Sequence, residues 1–166
     1  MTFMKRIALG LLITLLALGA AAQNRYGTSL GIFAGGVAPG SATANIASDG
    51  QIHLNWGFFV NLPLLQTFNI APSAELYKFG ASNATDFDIA FKFVVPLSGF
   101  GVFAGISPGL TTVNTLTAPH VGILGGATFG LVSNLDFFAM AKYTLVFDNS
   151  QNASVVHADA GIMFYF

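Results

Sequence analysis

The 166-residue chain contains no cysteine and few charged residues. The lack of cysteine excludes disulfides, thiolate metal sites and a lipid-modified N-terminal cysteine. Only 8% of the residues are charged, whereas 54% are hydrophobic. Six residues are basic, and two of these, Lys5 and Arg6, lie close to the N-terminus. A chain without a basic patch is not expected to bind nucleic acid.

The first 22 residues have the pattern of a secretory signal peptide. Lys5 and Arg6 precede an apolar stretch, residues 7–18, which is followed by small residues. A basic start, a short apolar core and a small-residue end are typical of a leader that is cleaved on export. We therefore predict a cleaved signal peptide at residues 1–22 and a mature domain at residues 23–166. The alternative is a membrane anchor, but the apolar core is too short to span a bilayer comfortably.

Long hydrophobic runs are also missing after the leader. A transmembrane helix needs about 20 consecutive apolar residues. The most hydrophobic candidate, residues 56–70, is interrupted by Asn61, Pro63, Gln66 and Asn69. The remaining backbone solution inside a lipid bilayer is a closed barrel, because its strands satisfy each other's hydrogen bonds.

The chain does contain a repeated two-residue alternation. Between Phe87 and Leu97 every odd position is apolar, while the even positions include Asp88 and Lys92. A strand with this pattern has one face for lipid and one for a polar interior. The alternation recurs to Phe166, and it predicts an all-β fold, an eight-stranded antiparallel up-and-down transmembrane β-barrel. The predicted strands are residues 26–37, 51–63, 68–79, 85–97, 100–111, 120–131, 135–147 and 154–166.

The predicted connections alternate between longer and shorter segments. Longer loops at one end and tight turns at the other are typical of outer-membrane barrels with both termini in the periplasm. Eight strands leave an interior that side chains fill, so an open pore is not expected. The longer connections are residues 37–50, 80–84, 112–119 and 148–153, and the shorter ones are 63–67, 98–99 and 132–134.

The C-terminal strand carries the most specific feature. Apolar residues occupy every second position and end on an aromatic residue: Ala158, Ala160, Ile162, Phe164 and Phe166. The mature chain, residues 23–166, resembles the small eight-stranded outer-membrane barrel superfamily, which includes OmpA-like transmembrane domains and OmpX-like proteins. This resemblance implies a bacterial outer-membrane location, the lipid bilayer as partner, and a terminal strand that is read by the barrel-assembly machinery.

Charged residues fall on the predicted inward face, where they are costly unless paired or hydrated. Glu75 and Lys92 lie at similar heights on the third and fourth strands, and Lys142 and Asp159 do so on the last two. We predict two cross-strand ion pairs, Glu75–Lys92 and Lys142–Asp159, with Asp88 nearby. Their expected role is to satisfy a polar interior. The alternative is a gate for a narrow conduit.

Glycine recurs at every fourth residue of three predicted strands, always on the inward face. In strands this spacing allows curvature and leaves room for bulky side chains. We predict that Phe33, Phe59, Phe103 and Phe138 fill this room, and a hydrophobic ligand cavity is the alternative. The glycines are Gly27, Gly31, Gly35, Gly101, Gly105, Gly109, Gly122, Gly126 and Gly130.

Three histidines, His53, His120 and His157, raise the possibility of a lipid-modifying enzyme. Such an enzyme needs a histidine, an acid and a hydroxyl at one lipid-accessible point. His157 and Asp159 share a face, but no serine lies beside them. We therefore predict no catalytic residues, no metal site and no cofactor. The expected protein is a monomeric, non-enzymatic integral outer-membrane protein with a structural or surface role. The alternatives are a carrier or narrow conduit for small or hydrophobic molecules, and the enzyme.

Overall fold

A computed structural model describes residues 27–41, 51–79, 82–97, 100–147 and 152–166. Within these ranges eight antiparallel strands form a closed barrel in sequence order, with the last strand paired to the first. In this part of the chain no helix is long and apolar enough to cross a membrane. The strands are β1 (Ser29–Ser41), β2 (His53–Leu65), β3 (Phe68–Phe79), β4 (Ser82–Leu97), β5 (Phe100–Val113), β6 (Leu116–Val132), β7 (Leu135–Phe147) and β8 (Asn152–Tyr165).

The prediction of an eight-stranded barrel is confirmed, and two strands, 68–79 and 135–147, have the predicted bounds. The predicted signal peptide lies outside the described residues. The longer connection predicted for 112–119 is wrong, because β5 and β6 extend until only Asn114 and Thr115 separate them. Asn114 has a φ of 53°, a left-handed conformation that asparagine tolerates in tight turns.

The barrel has two distinct ends. At the turn end, two-residue connections join β2 to β3, β4 to β5 and β6 to β7, and β1 begins and β8 ends there. At the loop end, the connections are residues 42–52, 80–81, 114–115 and 148–151. Only two of the four loop-end connections, residues 42–52 and 148–151, are therefore longer than the two-residue connections at the turn end.

The outer face is a continuous apolar surface, as the alternation predicts. Large side chains such as Trp56 (58% exposed) and Ile123 (66% exposed) point outward. Ala74 points outward as well but is buried, because in the strand register it lies between Phe58 and Phe87. An apolar exterior of this kind suits contact with lipid.

The interior is layered along the barrel axis. An apolar layer fills the loop end, a layer of polar side chains follows, and an aromatic layer lies towards the turn end. The loop-end apolar layer comprises Val37, Tyr77, Ala84, Val113, Val146, Ala153 and Val155. The aromatic layer comprises Phe33, Phe59, Phe138 and Met163.

Glycines make the aromatic layer possible. A Cβ atom on Gly126 would lie 2.6 Å from Cζ of Phe103, and one on Gly31 would overlap the Phe59 ring. Gly161, which is outside the predicted set, has the same relation to Phe138 at 2.9 Å. The prediction is thus confirmed for Phe59 against Gly31 and for Phe103 against Gly126, whereas Phe33 and Phe138 pack against Gly57 and Gly161, which are outside the predicted set.

Candidate functional site

The candidate site is a buried group of polar side chains between the two apolar layers, which we call the polar cluster. Four carboxylates from β3, β4 and β8 lie in it, each at most 5% exposed. Alternation places them there, because residues two apart on a strand share a face. The polar cluster comprises Asn55, Glu75, Asp86, Asp88, Thr111, His120, Lys142, His157 and Asp159.

Lys142 lies at the centre of the polar cluster. From β7 its ammonium Nζ reaches across the barrel to Oε2 of Glu75 at 2.8 Å and Oδ2 of Asp88 at 3.0 Å. Oδ2 of Asp86 lies 3.7 Å away. Because one ammonium contacts three carboxylates, electrostatic attraction links β7 to both β3 and β4.

Glu75 has two further partners besides Lys142. Its Oε1 lies 2.6 Å from Nδ1 of His157 and accepts a 2.5 Å hydrogen bond from Nδ2 of Asn55. The same Asn55 amide donates to Oδ1 of Asp159 at 2.6 Å. These contacts join β2, β3 and β8.

A second chain of contacts runs through His120. Its Nε2 lies 2.5 Å from Oδ1 of Asp88, and its Nδ1 lies 2.7 Å from the Thr111 hydroxyl. That hydroxyl donates to Oδ1 of Asp86 at 2.8 Å, and the Tyr77 hydroxyl donates to the same oxygen at 2.9 Å. Together with the Lys142 contacts, the cluster links seven of the eight strands by side chains alone.

The predicted Glu75–Lys92 pair does not form. Glu75 binds Lys142 and His157 instead. β3 ends at Phe79 as predicted, but β4 starts at Ser82, three residues earlier than predicted. This register places Glu75 opposite Asp86 and moves Lys92 opposite Asn69.

The predicted Lys142–Asp159 pair does not form either. Asp159 accepts its hydrogen bond from Asn55. In the β7–β8 register, Lys142 lies opposite His157, and Asp159 lies opposite Met140. Asp88, predicted to be nearby, does join the cluster through Lys142.

Lys92 has surroundings of a different kind. Its Nζ lies 4.4 Å from the centre of the Phe59 ring and 5.5 Å from that of Phe103. Among the described residues, no carboxylate forms an ion pair with it within 4.0 Å. Lys92 also lines a cavity of about 90 Å³ that opens at the turn end, which we call the turn-end cavity.

Sequence reasoning missed Asn55, Asp86 and Thr111 as members of the cluster. Asp86 shares a face with Asp88, so its inward position was available from the alternation. The glycine pattern held a further signal. A Cβ on Gly109 would lie 2.6 Å from Nε2 of His120 and 3.0 Å from Oδ1 of Asp88, so this glycine makes room for polar groups.

The donor atoms of the cluster could in principle hold a metal ion. Two sets of buried ligand atoms lie within 4.8 Å of one another: Glu75, Asp86 and His157, and Asp86, Asp88 and His120. However, the Lys142 ammonium already contacts the three carboxylates. The cluster therefore contains a cation of its own that contacts the carboxylates of both sets.

The Thr111–His120–Asp88 chain has the order of a hydroxyl, a base and an acid. All three side chains are buried, with 1%, 3% and 4% exposure. Neither of the two cavities described for the barrel interior is lined by Thr111 or His120. Two of its members have further partners in the polar cluster, because the Thr111 hydroxyl donates to Asp86 and the Asp88 carboxylate accepts from Lys142.

Comparison with known proteins identifies the fold. No family model and no curated protein sequence matches the chain. Among solved structures, Neisserial surface protein A (NspA) is similar with a TM-score of 0.71 and 13% identity, over 84% of this chain and 97% of that one. OprG from Pseudomonas aeruginosa is similar with a TM-score of 0.58 and 11% identity, over 87% and 98%. The N-terminal barrel domain of Pseudomonas aeruginosa OprF has a TM-score of 0.51 and 15% identity, over 82% and 97%.

The chain has the fold of the small eight-stranded outer-membrane β-barrels. Identities of 11–15% extend to the fold and not to the interior side chains. The polar cluster of this outer-membrane-type barrel is therefore interpreted from its own contacts. Those contacts lie between an apolar layer at the loop end and an aromatic layer towards the turn end.

Proposed function

We propose that the protein is a non-enzymatic integral protein of the bacterial outer membrane with a structural or surface role. One observation carries this proposal, namely the closed interior. Val37 and Val155 of the loop-end apolar layer and His157 of the polar cluster are each 0% exposed. An eight-stranded barrel whose lumen is filled in this way acts as a rigid scaffold in the membrane rather than as a pore.

The test of this proposal is ion conductance in planar lipid bilayers. We expect the purified barrel to insert without steady conductance, whereas a large open porin measured in the same membrane provides the positive control. Steady channel steps from the wild-type protein would contradict the scaffold role and favour the conduit.

We further propose that residues 1–22 are removed on export, and that the barrel inserts as a monomer with both termini in the periplasm. The leader pattern and the location of both chain ends of the barrel at the turn end favour this orientation. Because the chain lacks cysteine, the labelling of single introduced cysteines can measure the orientation of the barrel. A membrane-impermeant maleimide should label Thr115→Cys at the loop end on intact cells and spare Ser133→Cys at the turn end. The opposite pattern would reverse the orientation.

We also propose that the terminal strand is an assembly signal, on the basis of the resemblance. Its apolar positions are Ala158, Ala160, Ile162, Phe164 and Phe166. The Phe166 backbone N–H donates to the Thr28 carbonyl at 3.0 Å, so its deletion also removes a hydrogen bond. Phe166→Ala keeps that bond and is the better test. We expect it to reduce insertion in cells far more than folding into detergent, and unimpaired insertion would refute the signal.

A further inference from the structure

The turn-end cavity combines a buried cation with apolar walls. Lys92 is 6% exposed and contacts the faces of Phe59 and Phe103. Phe138, Met140 and Met163 line the same cavity. Aromatic rings attract a cation but do not neutralise it. The side of the ammonium that faces away from the rings can therefore still bind an anion.

The Lys92 charge has no counterion among the described residues of the barrel. A smaller space of about 20 Å³ separates it from the polar cluster, where Glu75 and Asp88 line the far side. Both of those carboxylates are already bound by Lys142. A buried cation left in this state is unfavourable unless another group pairs with it, and the turn-end cavity is the space from which an anion can reach it.

We propose that the turn-end cavity binds a small organic monocarboxylate, with its carboxylate on Lys92 and its alkyl group among Phe138, Met140 and Met163. The cavity has a volume of about 90 Å³. An engineered apolar cavity that binds benzene is larger, at about 150 Å³. A short alkyl chain therefore fits, and a long fatty acid would extend out of the turn end.

The cavity also favours one negative charge over two. Asp136 lines it near the turn end, in the strand register with Met163. Its Oδ2 accepts a hydrogen bond from the Tyr165 hydroxyl at 3.0 Å, while its buried Oδ1 has no partner among the described residues. Lys92 lies five residues before the end of β4 and so deeper in the barrel. A second carboxylate reaching outward from Lys92 would meet Asp136.

Methionine provides a selective readout of binding. The chain has four methionines; Met1 and Met4 lie in the predicted signal peptide, and Met140 and Met163 both line the cavity. In protein labelled with ¹³C-methyl methionine and held in a non-ionic detergent, butyrate should shift the Met140 and Met163 signals in a saturable manner. Butylamine, which lacks the carboxylate, should not, and succinate should bind more weakly than butyrate.

The variants that test the site change only the charge or its position. Lys92→Met should weaken butyrate binding about tenfold or more, because it removes the charge-assisted contact, whereas Lys92→Arg should retain it. Lys78→Met, at an exposed position near the loop end, is the matched control and should bind as wild type does. Lys92→Gln provides a second neutral variant should Lys92→Met fail to fold. Equal butyrate binding by a neutral variant, or no saturable shift in the wild type, would overturn the proposal.

Discussion

The barrel buries two lysines to nearly the same extent but surrounds them differently. Lys142 is 4% exposed and Lys92 is 6% exposed. Lys142 contacts three carboxylates within 3.7 Å, whereas Lys92 contacts two aromatic rings. The Lys142 charge is paired with carboxylates inside the polar cluster. The Lys92 charge instead borders the turn-end cavity. The same residue type can therefore stabilise the fold at one level and remain available for a ligand at another.

The largest expected effect is that of Lys142→Met. Removing the ammonium leaves Glu75, Asp86 and Asp88 without their shared cation in a buried site. Breaking a buried ion pair by removing one partner typically costs about 3–5 kcal/mol. We expect the free energy of unfolding, measured by reversible urea titration in lipid vesicles, to fall by that order. A variant as stable as the wild type would show that the cluster does not depend on Lys142.

A smaller loss is expected for Gly109→Ala. The added methyl group would lie against His120, Asp88 and the Phe87 carbonyl, and overpacking of this kind costs about 1–3 kcal/mol. Gly125→Ala is the matched control, since its Cβ would meet only the Phe103 carbonyl at 3.5 Å, which is an ordinary contact. If both variants unfold at the same urea concentration, inward glycine does not make room for the cluster.

Thr111→Val should cost less again. It removes the hydroxyl that donates to Asp86 and contacts His120. Because the Tyr77 hydroxyl still donates to the same Asp86 oxygen, the expected loss is that of an ordinary hydrogen bond, about 0.5–1.5 kcal/mol. Thr112→Val is the control, because Thr112 pairs with Thr117 at an exposed position. In the same urea titration, Thr111→Val should be less stable than Thr112→Val. Equal stability of the two variants would contradict the role of the Thr111 hydroxyl.

Lys92→Met should have the smallest effect on stability. The cation–π contacts that it removes contribute about 0.5–2 kcal/mol, and removal of a buried charge without a counterion offsets this loss. We expect a change within about 1 kcal/mol in the urea titration. A loss comparable with that of Lys142→Met would mean that the two halves of the interior use their lysines alike.

Much of the fold follows from the sequence because the deciding pattern is local. A two-residue period fixes which face each side chain occupies, so the inward positions of Glu75, Lys92, Lys142 and Asp159 follow from parity alone. Their burial agrees with that pattern. The Asn114 turn escaped prediction because the polar residues around it are typical of both a loop and strand ends.

The partners inside the barrel depend on non-local geometry. β4 starts three residues earlier than predicted, and its register places Lys92 opposite Asn69. Lys142 then reaches Glu75 across the lumen, between strands that are not neighbours in the barrel. The alternation within one strand does not predict this contact, because the contact depends on the stagger of several strands around a closed barrel.

The most direct test of the central claim, that Lys142 is the cluster's own cation, is a double-mutant cycle with Glu75. Lys142→Met, Glu75→Gln and the double variant are compared with the wild type by urea unfolding in vesicles. We expect the double variant to be more stable than the sum of the two losses allows, with a coupling of about 1–3 kcal/mol. Strictly additive losses would contradict the claim that these two residues, 2.8 Å apart across the lumen, act as a pair.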